Sequence, residues 1–256
     1  DDGLIIANEP RLSFSWDNFL YWLKGNDSGQ IFLLPFLSFM FDHALGGLNP
    51  VLFHAQSILW HMIACVGVFM CFTLFRVKPW LAFAFALIYA VHPQKCESVC
   101  WILERRDLIF GAFCVWSFYF YVKADIGRRF LPLSLGLFAL ALLSKPTAMA
   151  FPAVLCAFEL SRLRASELKT AALRLLPFFA LSVALFFLTA HPVAGAQKPL
   201  ALKLLSVAHN CPWYLTSFLA PWKLLPIYPL VWPDDSSLPF YFSLWALLAL
   251  LVIGLF

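Results

Sequence analysis

Glu97, Glu104, Arg105, Arg106 and Asp107 stand close together in the stretch HPQKCESVCWILERRD, which runs from His92 to Asp107. On a helix Glu97, Trp101 and Glu104 share one face, and Trp101 and Arg105 are i,i+4 neighbours. A carboxylate pair held against arginines could act as a general base, hold a metal or grip a phosphate. The same spacing suits a solvated interfacial helix whose surface ion pairs carry little energy. Lys145, in LLSKPTAM, falls at the boundary of two apolar runs. A cation there marks a functional site or snorkels to the interface. His92, Cys96 and Cys100 recur every four residues, so they could line a helical stripe, but no fourth ligand is evident for tetrahedral zinc. A Cys96–Cys100 bridge would have to join successive turns of one helix, which disulfide geometry disfavours. His54 and His61 share a helical face, as a helix–helix pair or as ligands.

The elements that must position these groups are written in the composition. The 256 residues are 62% hydrophobic and 12% charged, with mean hydropathy +0.81, against about a quarter charged in a soluble domain. This implies an integral membrane protein. A span needs about 20 apolar residues, and candidates lie near 50–75, 79–92, 108–123, 130–144, 146–160, 175–191 and 239–256. Stretches 31–45 and 201–222 are apolar but shorter or broken by proline, as interfacial or re-entrant segments are. The expected architecture is all-α, a polytopic transmembrane helix bundle of about seven spans. It forms a single domain over 1–256, in which residues 1–49 make a first outer loop with interfacial helices. The chain starts at Asp1 and ends within an apolar run, as expected of a piece of a longer protein. Its net charge of +4 is too dispersed for nucleic acid.

Charge in alternate loops sets the orientation. Arg76 and Lys78 form one group, and Lys123, Arg128 and Arg129 against Asp125 a second. Arg162, Arg164, Lys169 and Arg174 against Glu167 form a third, and together they give one side +7 of the net +4. Cytoplasmic loops hold the positive excess. Residues 1–49, 92–107, 145 and about 192–238 therefore share the outer or lumenal face. Transporter sites lie near the midplane, so charge gathered at one face counts against transport.

The motif HPQKCESVCWILERRDLIFG resembles the "HP…ESVAWI.ER.D" signature of bacterial membrane proteins that carry tetratricopeptide repeats. These are similar to the eukaryotic transmembrane and tetratricopeptide-repeat O-mannosyltransferases of the GT-C glycosyltransferase superfamily. DDGLIIANEPRL resembles the start of that family's first outer loop, and FMFDHALGGLNPVLFHAQSILWH its following segment. LLSKPTAMAFPAVL resembles the family's "SKP" segment, and PWYLTSFLAPWKLLPIYP its late outer loop. The chain departs from the pattern at Phe32, where tryptophan is usual, at Phe39, where histidine is usual, and at Ser57, where asparagine is usual.

What the resemblance implies is a GT-C fold and sugar transfer from a polyprenyl-phosphate donor to a protein or glycan hydroxyl (O-glycosylation). The membrane would be the bacterial inner membrane or the endoplasmic reticulum. It assigns the catalytic base to Asp1 or Asp2, and the donor phosphate and substrate cavity to Glu97, Arg105, Arg106, Asp107 and Lys145. Carboxylates at Asp1, Asp2 and Glu97 would permit a divalent metal, magnesium or manganese, without requiring one. The expected partners are the lipid-linked donor, the acceptor, membrane lipids and other subunits of a membrane assembly. The competing reading is a catalytically inactive GT-C-like structural subunit.

Overall fold

The computed structural model describes residues 6, 8–24, 31–162, 168–189, 214, 217–219 and 221. The chain divides into two compact units, Asp1–Pro192 and Val193–Phe256. In the second, the backbone at 214 and 217–219 is helical, while the expected span at 239–256 lies outside the described residues. The first unit is all-helical among its described residues.

Its helices are α1 (Trp16–Lys24), α2 (Leu33–Gly46), α3 (Pro50–Leu74), α4 (Pro79–Val91), α5 (Lys95–Cys100), α6 (Arg105–Lys123), α7 (Phe130–Leu142), α8 (Phe151–Arg162) and α9 (Leu168–Thr189). Short 3-10 turns, Ile102–Glu104 and Pro146–Ala150, lead into α6 and α8. Local chemistry sets these boundaries. Gly47 ends α2 in the left-handed region at φ 62°, where a side chain would be strained. Asn49 then caps α3 by accepting from the Val51 N–H at 3.0 Å, and Pro50 fills the first turn, where its missing N–H costs nothing. Helix α4 stops at His92, extended at φ −63° and ψ 128°, because Pro93 excludes the helical conformation from the residue before it.

Helix α6 is the axis on which the others pack. It runs parallel to α3: Arg105 meets Ser57 and Phe53, and Trp116 Nε1 donates to the Ile63 carbonyl at 3.0 Å. Gly67 makes the approach close, since a Cβ there would stand 2.8 Å from Val115 Cγ1. Helix α7 returns antiparallel, locked by reciprocal bonds in which Ser117 Oγ donates to the Ser134 carbonyl at 2.8 Å and Ser134 Oγ to the Ser117 carbonyl at 2.7 Å. Small residues and paired hydroxyls are the means by which helices adhere where hydrocarbon gives no hydrophobic drive. Phe39, Tyr121, Phe138, Leu155 and Phe178 are sealed in the core. Trp22 of α1 stacks on Phe36 of α2 at 3.4 Å between ring centroids.

The outer faces are apolar. Ile58, Met62 and Val66 of α3, Phe83 and Ile88 of α4, and Phe186 and Phe187 of α9 are all exposed, a surface that needs hydrocarbon rather than water. Helices α3 and α9 are long and apolar enough to cross a membrane. At 13 residues, α4 and α7 reach only about 20 Å each, short of the expected full span. The structure thus carries membrane character, with two helices both long and apolar enough to cross among the described residues.

Candidate active site

The start of α6, the end of α7 and the turn after α4 meet at one end of the helix layer. There Lys145, extended just beyond α7, donates from Nζ to Asp107 Oδ1 and stands 3.5 Å from Glu104 Oε2. Arg106 Nη2 donates to Glu104 Oε1, and the guanidinium lies 5.2 Å above the Phe32 ring. Arg106 Nε is buried with no hydrogen-bond partner among the described residues, a donor whose burial is costly until something accepts from it.

Three carboxylates crowd this end, and their surroundings divide them. Burial pushes Glu104 up, but the bond and charge of Arg106, with Lys145, outweigh it and hold the carboxyl below the usual range. Glu97, exposed on α5, is pushed above that range by partial burial and by the nearby charges of Glu104 and Asp107, against the pull of Lys145. It makes no ion pair among the described residues. Glu104, engaged and held anionic, beside Glu97, unengaged and pushed upward, is the division of labour that a site separating charge stabilisation from proton transfer requires.

Of the residues expected here, Glu97, Arg106, Asp107 and Lys145 come together, and Glu104 joins them. Asp1 and Asp2 lie outside the described residues. Arg105 does not join the cluster. Its side chain is fully buried in the opposite direction, paired with Asp42 Oδ2 at 2.6 Å. It also donates to Ser57 Oγ at 3.2 Å, Ser38 Oγ at 3.1 Å, the Phe53 carbonyl at 2.5 Å and Gln56 Oε1. The ring of Phe39 lies 4.6 Å below it. Arg105 therefore ties the first turn of α6 to α2 and α3. Asp42 was open to detection, since a carboxylate inside the run FMFDHAL has to find a partner. All three departures from the family pattern touch these arginines: Phe39 and Ser57 contact Arg105, and Phe32 contacts Arg106.

The metal readings meet a thin ligand set. Cys96 and Cys100 are free and exposed with sulfurs 3.8 Å apart, while His92 Nδ1 accepts from the Gln94 N–H at 3.3 Å. Among the described residues no group of three His, Cys, Asp or Glu side chains is arranged to hold a metal ion. Of Asp1, Asp2 and Glu97, only Glu97 is described. His61 faces α4, where its Nε2 lies 3.0 Å from the Ala90 carbonyl and its ring stacks on Tyr89, a helix-to-helix contact. His54 is exposed.

Comparison with known proteins identifies relatives of the same kind. Protein O-mannosyl-transferase TMTC1 of Homo sapiens is 30% identical over 195 residues, 67% of this chain and 22% of its own length. Protein O-mannosyl-transferase TMTC2 of Homo sapiens is 35% identical over 88 residues, 34% of this chain and 10% of its own length. Protein O-mannosyl-transferase TMTC3 of Mus musculus is 28% identical over 131 residues, 49% and 14% respectively. No family model matches the chain, and no solved structure matches it. The chain thus spans less than a quarter of the length of these relatives. Over the segment it shares with them, it belongs to the TMTC protein O-mannosyl-transferase family.

Proposed function

We propose that this chain carries the donor site of a multi-pass membrane glycosyltransferase, which moves a sugar from a polyprenyl phosphate to a hydroxyl of a protein acceptor. The relatives' names make mannose the sugar to test first. The observation that carries the reading is the convergence of Glu97, Glu104, Arg106, Asp107 and Lys145 at one end of an apolar helix layer. A donor with a prenyl tail in the bilayer presents its phosphate at such a rim. The alternating loop charges put this end on the outer or lumenal side, of the endoplasmic reticulum or of a bacterial inner membrane.

In the reaction the acceptor oxygen attacks the anomeric carbon while a carboxylate takes its proton. The bond from that carbon to the phosphate oxygen breaks, and the prenyl phosphate leaves with the electron pair. Negative charge grows on the phosphate, and in this reading Arg106 and Lys145 oppose it. The resemblance gives the base role to Asp1 or Asp2 and assigns Glu97 to the cavity that base serves. A magnesium or manganese ion, if used, would take its oxygen ligands from Asp1, Asp2 and Glu97.

The test is transfer of labelled sugar from polyprenyl-phosphate donors by the full-length protein in membranes. Removing a phosphate-facing cation costs roughly a hundred- to a thousandfold in turnover, so Lys145→Ala should fall by that much. Asp2→Asn and Glu97→Gln should fall too, with all three variants still folded. A well-folded parent inactive with every donor returns the chain to the structural-subunit reading.

A further inference from the structure

Lys95 is the cation of this end that the proposed chemistry has not used. Its ammonium sits 4.7 Å from the centroid of the Tyr89 ring. Tyr89 in turn reaches α6, where a Cβ on Gly111 would stand 3.9 Å from its hydroxyl. Gly111 lies one helical turn beyond Asp107, hence on the same face of α6. Lys95 and Lys145 therefore approach the Asp107 face from two different elements, the start of α5 and the end of α7.

Their charge states of engagement differ. Lys145 is held by Asp107 and Glu104, and Arg106 by Glu104. Lys95 has no carboxylate within ion-pair distance among the described residues. Burial pulls its pKa down, with Asp107 only partly restoring it, which marks a partly desolvated cation short of negative charge. Against a simple snorkelling lysine, its nitrogen is turned onto an aromatic ring beside the cluster instead of out into water.

We propose that Lys95, floored by Tyr89, is the subsite that receives the phosphate of a lipid-borne phosphate ester between α4 and α6. The inference rests on the transferase reading and deepens it. Lys145 and Arg106 already share their charge with Glu104 and Asp107, so Lys95 adds positive charge beside them for the incoming phosphate. The ligand is the prenyl phosphate headgroup; a bulk phospholipid headgroup offers the same chemistry and is separated by the test.

The experiment uses the full-length protein in phosphatidylcholine nanodiscs. Lysine acylation is followed by mass spectrometry, with polyprenyl phosphate, the corresponding polyprenol or phosphatidic acid added. The expected result is protection of Lys95 by the prenyl phosphate, but not by polyprenol or by an equal amount of phosphatidic acid. In the same discs Lys95→Gln should bind prenyl phosphate roughly ten- to a hundredfold more weakly, as loss of a charged hydrogen bond implies, and Lys95→Arg should keep most of the affinity. Lys95 equally reactive with and without prenyl phosphate overturns the subsite. So does equal protection by phosphatidic acid, which makes it a general lipid contact. A parent that transfers sugar while Lys95→Gln binds donor normally overturns the subsite and leaves the transferase. Lys95-dependent binding without any sugar transfer leaves the subsite and overturns the transferase.

Discussion

A guanidinium sealed from water keeps its charge only if its donors are met, and Arg105 meets them with Asp42, Ser38, Ser57, Gln56 and the Phe53 carbonyl. Breaking such a pair leaves a buried charge alone, at about 3–5 kcal/mol. Arg105→Ala should therefore lower the thermal unfolding temperature in detergent sharply, and Asp42→Asn in the same background should recover part of the loss. Lys145→Ala, at a partly exposed site, should leave unfolding nearly unchanged while lowering transfer roughly a hundred- to a thousandfold. Glu104 gives a pH signature. Its folded pKa lies below its unfolded one, so its stabilisation is present above the unfolded value of about 4.3 and is lost as pH falls through the lower folded value. The unfolding-temperature difference between the parent and Glu104→Gln should hold steady above roughly pH 6 and shrink as pH falls below about 4.3. A difference that grows on acidification contradicts the assignment.

At the scale of elements, the α3–α6 contact depends on Gly67. A methyl there meets Val115, whose β-branched side chain has little rotamer freedom in a helix, and Trp116 Nε1 at 3.1 Å. Gly67→Ala should cost about 1–3 kcal/mol by overpacking, read as a lower unfolding temperature, while Gly136→Ala, which meets nothing within 4 Å, should not. Helices were the legible part. The expected spans at 50–75, 79–92 and 130–144 fall on α3, α4 and α7, because proline, asparagine and glycine mark their ends. The expected span at 146–160 opens instead as the 3-10 turn Pro146–Ala150 before α8, where Lys145–Pro146 forces an extended residue before the helix can form. The site was legible as a neighbourhood and not as a set of directions. Arg105 and Arg106 are adjacent, so their side chains leave α6 about 100° apart. One must face α3 and the other the cluster, and nothing local says which. Only the position of Asp42, more than sixty residues earlier, decides it.

At the scale of the whole molecule, the described residues of the first unit sort their ion-paired groups towards two ends of an apolar layer. One end holds the Glu97–Lys145 cluster. At the other, Asp125 accepts from Arg162 and, at 2.5 Å, from Arg174, while Glu159 accepts from the Tyr121 hydroxyl at 2.6 Å. That second network ties α6, α8 and α9 on the side with the positive excess, where the orientation rule puts the cytoplasm. The two ends make opposite predictions for a lipid-linked donor. A polyprenyl phosphate with a photoreactive group beside its phosphate, irradiated with the full-length protein in membranes, tests the account most directly. Crosslinked peptides from residues 92–107 and 143–150, depleted by unlabelled donor, are the predicted result. Crosslinks confined to residues 124–129 and the end of α8 would place the donor at the wrong end and contradict the account.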